Sequence, residues 1–235
     1  MSPKEIIKLF IPPIFYPSSL KNIYSNLLKE KNNFEYEKNF YSRHAFMLRS
    51  ILNKKRNCKY LEIGVSDDDV FNTIPLNIEN KIGVDPNKGG THRMTSDEFF
   101  KKNNIYFDVI FIDGLHTYEQ CKKDFLNCLK FINNDGIIIF HDMLPRNSFE
   151  ESVPRKSLLW NGDVWKLAVE ITNSTKNNFK IANIDCGVGI FKFEKDFKLK
   201  NFKKIEEKNF NDFIKIFIKD LTIIKSKEAL DFLDS

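Results

Sequence analysis

The sequence predicts an α/β protein whose mostly parallel sheet carries helices on both faces. Three observations lead there. Short apolar runs recur and end on polar side chains: KYLEIG at 59–64, KIGVD ending at Asp85, FDVIFIDG at 107–114, and GIIIF followed by His141 and Asp142. Stretches of helical spacing lie between the runs, the clearest at Tyr118, Cys121, Phe125, Cys128, Leu129 and Ile132. Two further runs, 179–184 and 187–193, are joined by Asp185, Cys186 and Gly187 and read as an antiparallel hairpin at the sheet edge. Strands alternating with helices imply parallel pairing with helices on both sides.

The elements follow in order. Residues 1–35 read as an N-terminal extension, because Pro12, Pro13 and Pro17 forbid a continuous helix there. That extension can pack on the domain, cover a cofactor or meet a second copy of the chain. Phe40, Met47 and Ile51 give residues 40–53 a helical face. The run at 59–64 is the first strand, with Glu62 near its end and Gly64 opening the turn. VSDDDVF should start a short helix broken by Pro75, and the second strand ends on Asp85. Thr95 with Glu98 three positions on is a capping box that starts DEFFKK. Only a very short third strand, near His92–Met94, fits before it. The fourth strand ends on Asp113, a long helix runs from Tyr118, and residues 133–136 turn into the fifth strand at 137–140. Residues 143–162 form a long loop at the sheet edge where ligands bind. Asp163 is placed to cap the helix VWKLAVEIT, with Trp165 in the core. Phe210, Phe213, Ile214, Phe217, Leu221 and Ile224 trace an amphipathic helix in the tail. The expected division is an extension at 1–35, a main domain at 36–200 and a C-terminal helical segment at 201–235.

Composition narrows the function classes. The chain has 235 residues, 42% hydrophobic and 29% charged, which is ordinary for a globular domain. The 23 Phe should fill its core. The formal charge of +5 is spread along the chain and does not form a nucleic-acid stripe. Cys58, Cys121, Cys128 and Cys186 form neither a CxxC pair nor a zinc spacing, so a reducing, cytoplasmic setting is expected. No apolar run approaches the roughly 20 residues that span a bilayer.

The strand ends carry the chemistry. In an open parallel sheet they share one edge, where ligands bind. A carboxylate at the second strand end, Asp85, can accept hydrogen bonds from a ribose diol. Gly64 lets backbone approach the ligand. A dinucleotide site would want G-x-G-x-x-G, yet this turn reads G-V-S-D-D-D, and three acids there repel a phosphate. A nucleoside cofactor that is cationic and lacks phosphates suits it better. Asp113, His116, His141 and Asp142 should gather further along the same edge.

Together LEIGVSDDD, IGVDP, TSDEFF, FDVIFIDGLHTYEQ and GIIIFHDM resemble the class I S-adenosylmethionine-dependent methyltransferases, over roughly residues 58–193. More narrowly they resemble small methyltransferases associated with sugar and polysaccharide biosynthesis. The resemblance implies a Rossmann-like methyltransferase fold, a seven-stranded sheet of order 3-2-1-4-5-7-6 with the seventh strand antiparallel. It implies S-adenosylmethionine as cofactor, with Glu62 and Gly64 near its methionine part, Asp85 on the ribose, and Ser96 and Asp97 near the adenine. Asp113 reads either as a further cofactor contact or as a structural cap. Two departures stand out: Asp68 replaces a second glycine, and Met143 stands where a metal-ligating Asn follows the second acid in magnesium-dependent relatives. Asp113 and Asp142 match the two acidic ligands of that Mg²⁺ site.

The expected reaction is O-methylation of a sugar or other hydroxylated small molecule. Asp113 and Asp142 hold a metal or orient the acceptor, and His116 or His141 takes its proton. Strand alternation would point His141 away from Asp142. Trp160 and Asp163 are candidates for the acceptor pocket. The alternatives are N- or C-methylation without metal, and a catalytically silent scaffold that uses the N-terminal segment.

Overall fold

A computed structural model describes residues 32–38, 41–54, 57–175 and 177–235. Most of the expected extension at 1–35 lies outside the described residues. The first helix, α1 (Arg43–Leu52), is followed by β1 (Tyr60–Ile63) and β2 (Lys81–Val84), with two short 3-10 turns on either side of Pro75. Then come α2 (Ser96–Lys102), β3 (Phe107–Ile112), α3 (Tyr118–Phe131), β4 (Ile132–Phe140) and α4 (Trp165–Ser174). The hairpin β5 (Phe179–Ala182) and β6 (Val188–Lys192) precedes β7 (Ile223–Ile224) and α5 (Ser226–Asp234).

The seven strands lie in the order β2-β1-β3-β4-β6-β5-β7. Pairing is parallel from β2 to β4 and antiparallel on both sides of β6. Six positions therefore follow the expected order. The third expected strand is reduced to one parallel bridge, Val84 to His92. The reason is local: Thr95 already caps α2, its hydroxyl accepting from the Glu98 amide at 3.2 Å, so too few residues remain to extend a ladder. The seventh strand comes instead from the tail, where Ile223 and Ile224 pair in parallel with Ile181 and Ala182.

The sheet is buried on both faces, as parallel sheets are. Along β3, Ile110 and Ile112 join one apolar cluster while Val109 and Phe111 join the other. Phe125 on α3 sits in the first, with edge-to-face partners in Phe140, Phe191 and Phe197 at 5.3–5.9 Å. Trp165 is fully buried against Phe213 at 4.9 Å.

Three local expectations are corrected. The tail is not one regular helix from Phe210 to Ile224: it coils through short α, π and 3-10 stretches over Phe210–Asp220 and leaves helical geometry at Leu221. The apolar spacing still buries Phe210, Phe213, Phe217 and Leu221. Asp163 makes no side-chain cap on α4; its Oδ1 accepts from the Tyr118 amide at 2.7 Å and so closes the start of α3. Residues 133–136 belong to β4, although Asp135 keeps a turn-like φ of 63° within an irregular register. Among the described residues no helix is long and apolar enough to cross a membrane.

Candidate active site

A cavity of about 730 Å³ opens at the carboxyl ends of β1, β2 and β3. Gly64 forms its floor with φ of +87°, and a Cβ there would stand 2.1 Å from the Asp113 carbonyl oxygen. Only glycine lets the first turn lie this close to β3. Asp68, in the place of a second glycine, adopts φ of 67° and accepts from the Gly90 amide at 2.6 Å. Its side chain thus holds the loop that follows β2, in a left-handed conformation that Asp tolerates better than most residues.

Asp85 lies on the cavity wall and accepts three backbone amides, from Ser66, Asn87 and Lys88, at 2.7–3.0 Å. Burial works against its charge, but these donors prevail and hold its carboxyl below the usual range. A carboxylate has about four acceptor positions, so one remains for a ligand hydroxyl. Ser96 and Asp97 line the wall as well. Glu62 is 1% exposed and accepts from the Tyr60 hydroxyl at 2.7 Å. It is not among the cavity-lining residues. Burial first, and the neighbouring Asp113 besides, push its carboxyl up to about 8 against the opposing Tyr60 hydrogen bond.

Beyond the cavity the strand ends build one polar cluster. His141 Nδ1 lies 3.3 Å from Asp113 and 3.2 Å from Asp142, and its Nε2 lies 3.4 Å from Asp185. His116 Nδ1 is 2.9 Å from the Trp160 carbonyl and 3.0 Å from Asp142, and its Nε2 is 3.5 Å from Asp113. Strand alternation does not carry to His141. β4 ends at Phe140, and Asp142 has φ of 64°, so the chain bends and turns both side chains to the same place.

Two members were absent from the sequence expectation. Arg43, at the start of α1, approaches Asp113 at 3.8 Å and Asp185 at 3.0 Å. Asp185, in the hairpin turn, also accepts from the Arg43 amide at 3.1 Å. The charges compensate one another. Burial opposes ionisation throughout, yet the imidazoles hold Asp113 and Asp185 below the ordinary carboxylate range. In turn Asp113 and Asp142 push His116 up to about 9 and raise His141. Trp160 stacks on His116 at 5.1 Å, and Arg155 lies 5.6 Å from its ring centroid. It orients the imidazole and is not itself a cavity-lining residue.

Oxygen and nitrogen donors of Asp113, His116 and Asp142 lie within 4.8 Å of one another. Asp142 is 3% exposed, and its Oδ2 is buried with no well-directed hydrogen bond. That oxygen lies 3.0 and 3.2 Å from the two imidazoles, and with the carboxylate of Asp113 it offers hard donors that fit a divalent cation. Met143 is fully buried in the apolar core and offers no ligand to it.

Residues 71–143 match a family model described as a methyltransferase domain. An uncharacterized protein of Acanthamoeba polyphaga mimivirus is 26% identical, over 42% of this chain and 58% of the relative. The match therefore spans little more than half of that relative's length. Among solved structures, a putative O-methyltransferase from Klebsiella pneumoniae aligns with a TM-score of 0.49 at 11% identity, covering 75% of this chain and 97% of that one. An O-methyltransferase from Bacillus cereus in complex with SAH aligns at 0.45 and 10% identity, over 75% and 98%. The plantazolicin methyltransferase BpumL in complex with SAH aligns at 0.44 and 15% identity, over 65% and 83%.

Proposed function

We propose that the chain is a class I S-adenosylmethionine-dependent methyltransferase that O-methylates a sugar or related hydroxylated small molecule in the cytoplasm, as in polysaccharide biosynthesis. The observation that carries this reading is the pair of imidazoles set against Asp113 and Asp142 at one end of the cofactor cavity. Methyl transfer from a sulfonium needs in-line alignment, which a rigid cavity supplies. Transfer to a hydroxyl needs, in addition, an acceptor for its proton. N-methylation of an amine has less use for such a cluster.

In this reading Gly64 and Asp85 seat the cofactor, with Glu62 behind them and Ser96 and Asp97 at the adenine. Four carboxylates, those of Asp85, Asp97, Asp113 and Asp124, face the cavity against a single guanidinium, Arg155. That balance favours a cationic ligand. His116 borders the cavity and takes the acceptor's proton, while His141 fixes Asp113 and Asp142. With a cationic ligand in the cavity, Asp113 would hold the His116 proton less tightly, leaving the imidazole free to act as base. Asp113 and Asp142 would hold a divalent cation, Mg²⁺ or a related ion, which when bound would stabilise the developing alkoxide.

The test is methyl transfer to a panel of sugars and hydroxylated small molecules, with and without EDTA. Product methylated on oxygen is expected, with activity falling on chelation and returning with added Mg²⁺ or Mn²⁺. Unchanged activity in EDTA removes the cation, and product methylated only on nitrogen or carbon overturns the O-methyl reading.

A further inference from the structure

The loop between β4 and α4 brings a cation to the cavity that the proton-transfer chemistry does not use. The base of the loop is closed. The Asn161 and Gly162 amides donate to the Glu150 carbonyl at 2.9 and 3.0 Å, and the Trp160 indole donates to the Ser152 carbonyl at 2.6 Å. From the span so tied off, Arg155 reaches the cavity wall. Its Nε donates to the Ser157 carbonyl at 2.9 Å and its Nη2 to the Leu158 carbonyl at 2.5 Å. The guanidinium lies 5.6 Å from the Trp160 ring centroid, and that ring stacks on His116 at 5.1 Å.

These contacts fix one edge of the fork, Nε with Nη2, on the backbone of its own loop. The other edge, Nη1 with the second hydrogen of Nη2, remains for a ligand. Among the described residues no carboxylate pairs with Arg155, although Asp85, Asp97, Asp113 and Asp124 line the same cavity. A guanidinium held this way is a bidentate receptor for a carboxylate or a phosphate. Being already fixed, it loses little further freedom when such a group binds. Arg155, Trp160 and His116 stand in series, so an anionic group at the first and a hydroxyl at the last can belong to one small acceptor.

Resting on the O-methyltransferase reading, we propose that Arg155 binds an acidic group of the acceptor, so that the enzyme methylates sugars bearing a carboxylate or a phosphate in preference to neutral ones. A neutral sugar offers only hydroxyls to the open edge of the fork, and a hydrogen bond between two charged partners is roughly twice as strong. The rest of the cavity sharpens the choice. An anion placed anywhere but at Arg155 meets the four carboxylates, so the acidic group sets the orientation of the acceptor as well as its affinity.

The experiment measures O-methyl transfer to matched acceptors: glucose, galactose and mannose, each against its uronic acid, its 6-phosphate and its 6-amino-6-deoxy counterpart. The wild type should favour the uronic acid or the 6-phosphate over the neutral sugar by roughly tenfold or more in kcat/KM, and the better of the two shows which acid is read. Arg155→Gln should raise KM for that acid by roughly tenfold, with kcat nearly kept. Its affinity for S-adenosylhomocysteine, followed by calorimetry, should stay within about twofold of the wild type. Arg155→Glu should turn the preference toward the amino sugar, a gain that loss of fold cannot produce. Equal kcat/KM for neutral and acidic sugars in the wild type overturns the proposal without any variant and leaves the O-methyl reading standing. Weakened S-adenosylhomocysteine binding by Arg155→Gln at an unchanged melting temperature also overturns it, since Arg155 would then hold the carboxylate of the cofactor. If none of these sugars is methylated on oxygen, the O-methyl reading itself fails and this proposal with it.

Discussion

His116→Asn should lower kcat by about 10²- to 10⁴-fold, the usual worth of a positioned general base. The structure gives the reason. His116 borders the cavity, and Asp113, Asp142 and the Trp160 carbonyl fix its ring at 2.9–3.5 Å. Trp160 stacks on one face and holds the plane. Asparagine keeps a polar group there but cannot accept and pass a proton. A group that acts only in the transition state lowers kcat and kcat/KM together, with little change in KM for the cofactor. Steady-state kinetics with both substrates varied would show this. A rise in KM at unchanged kcat would make His116 a binding residue and move the base elsewhere in the cluster.

Glu62→Gln should stabilise the unliganded protein at pH 8 by on the order of 3 kcal/mol. Glu62 is almost wholly buried beneath the cavity, with its carboxyl pushed up to about 8 from an ordinary value of 4.5. Its folded-state pKa is raised, so the fold prefers the protonated acid. The stability this gives is complete below about 4.5 and is lost as pH rises toward 8. Glutamine is neutral at every pH and can still accept from the Tyr60 hydroxyl. Urea unfolding of both proteins at pH 5 and pH 8 checks the sign. The wild type should lose stability between the two values relative to the variant. A variant less stable at pH 8 would mean that the native protein keeps Glu62 ionised.

The legible part of the fold was what periodicity can carry. Apolar runs ending on Glu62, Asp85, Asp113 and His141 marked four strands whose carboxyl ends share an edge. The capping box at Thr95 marked α2. Less was legible where chain direction changes. His141 follows the last residue of β4, and the left-handed backbone at Asp142 breaks the alternation that would have sent its side chain away. The tail followed its apolar spacing into the core but not into one helix, and a two-residue strand such as β7 is too short to have a period. Arg43 and Asp185 join the cluster from more than 140 positions apart, with no local mark on either. Asp124 did leave a signal: it is an acid beside Cys121, Phe125 and Cys128 on the buried face of α3. An acid on a face that must be buried asks for a partner, and here that face borders the cavity.

The central claim is that the cavity between Gly64, Asp85 and Asp113 holds S-adenosylmethionine. Calorimetric titration of S-adenosylhomocysteine into the wild type and Asp85→Ala tests it most directly. The account predicts one site per chain in the wild type and affinity weakened by roughly tenfold or more in the variant, the worth of hydrogen bonds to a charged acceptor. No binding by the wild type, or equal affinity in the two proteins, would contradict it.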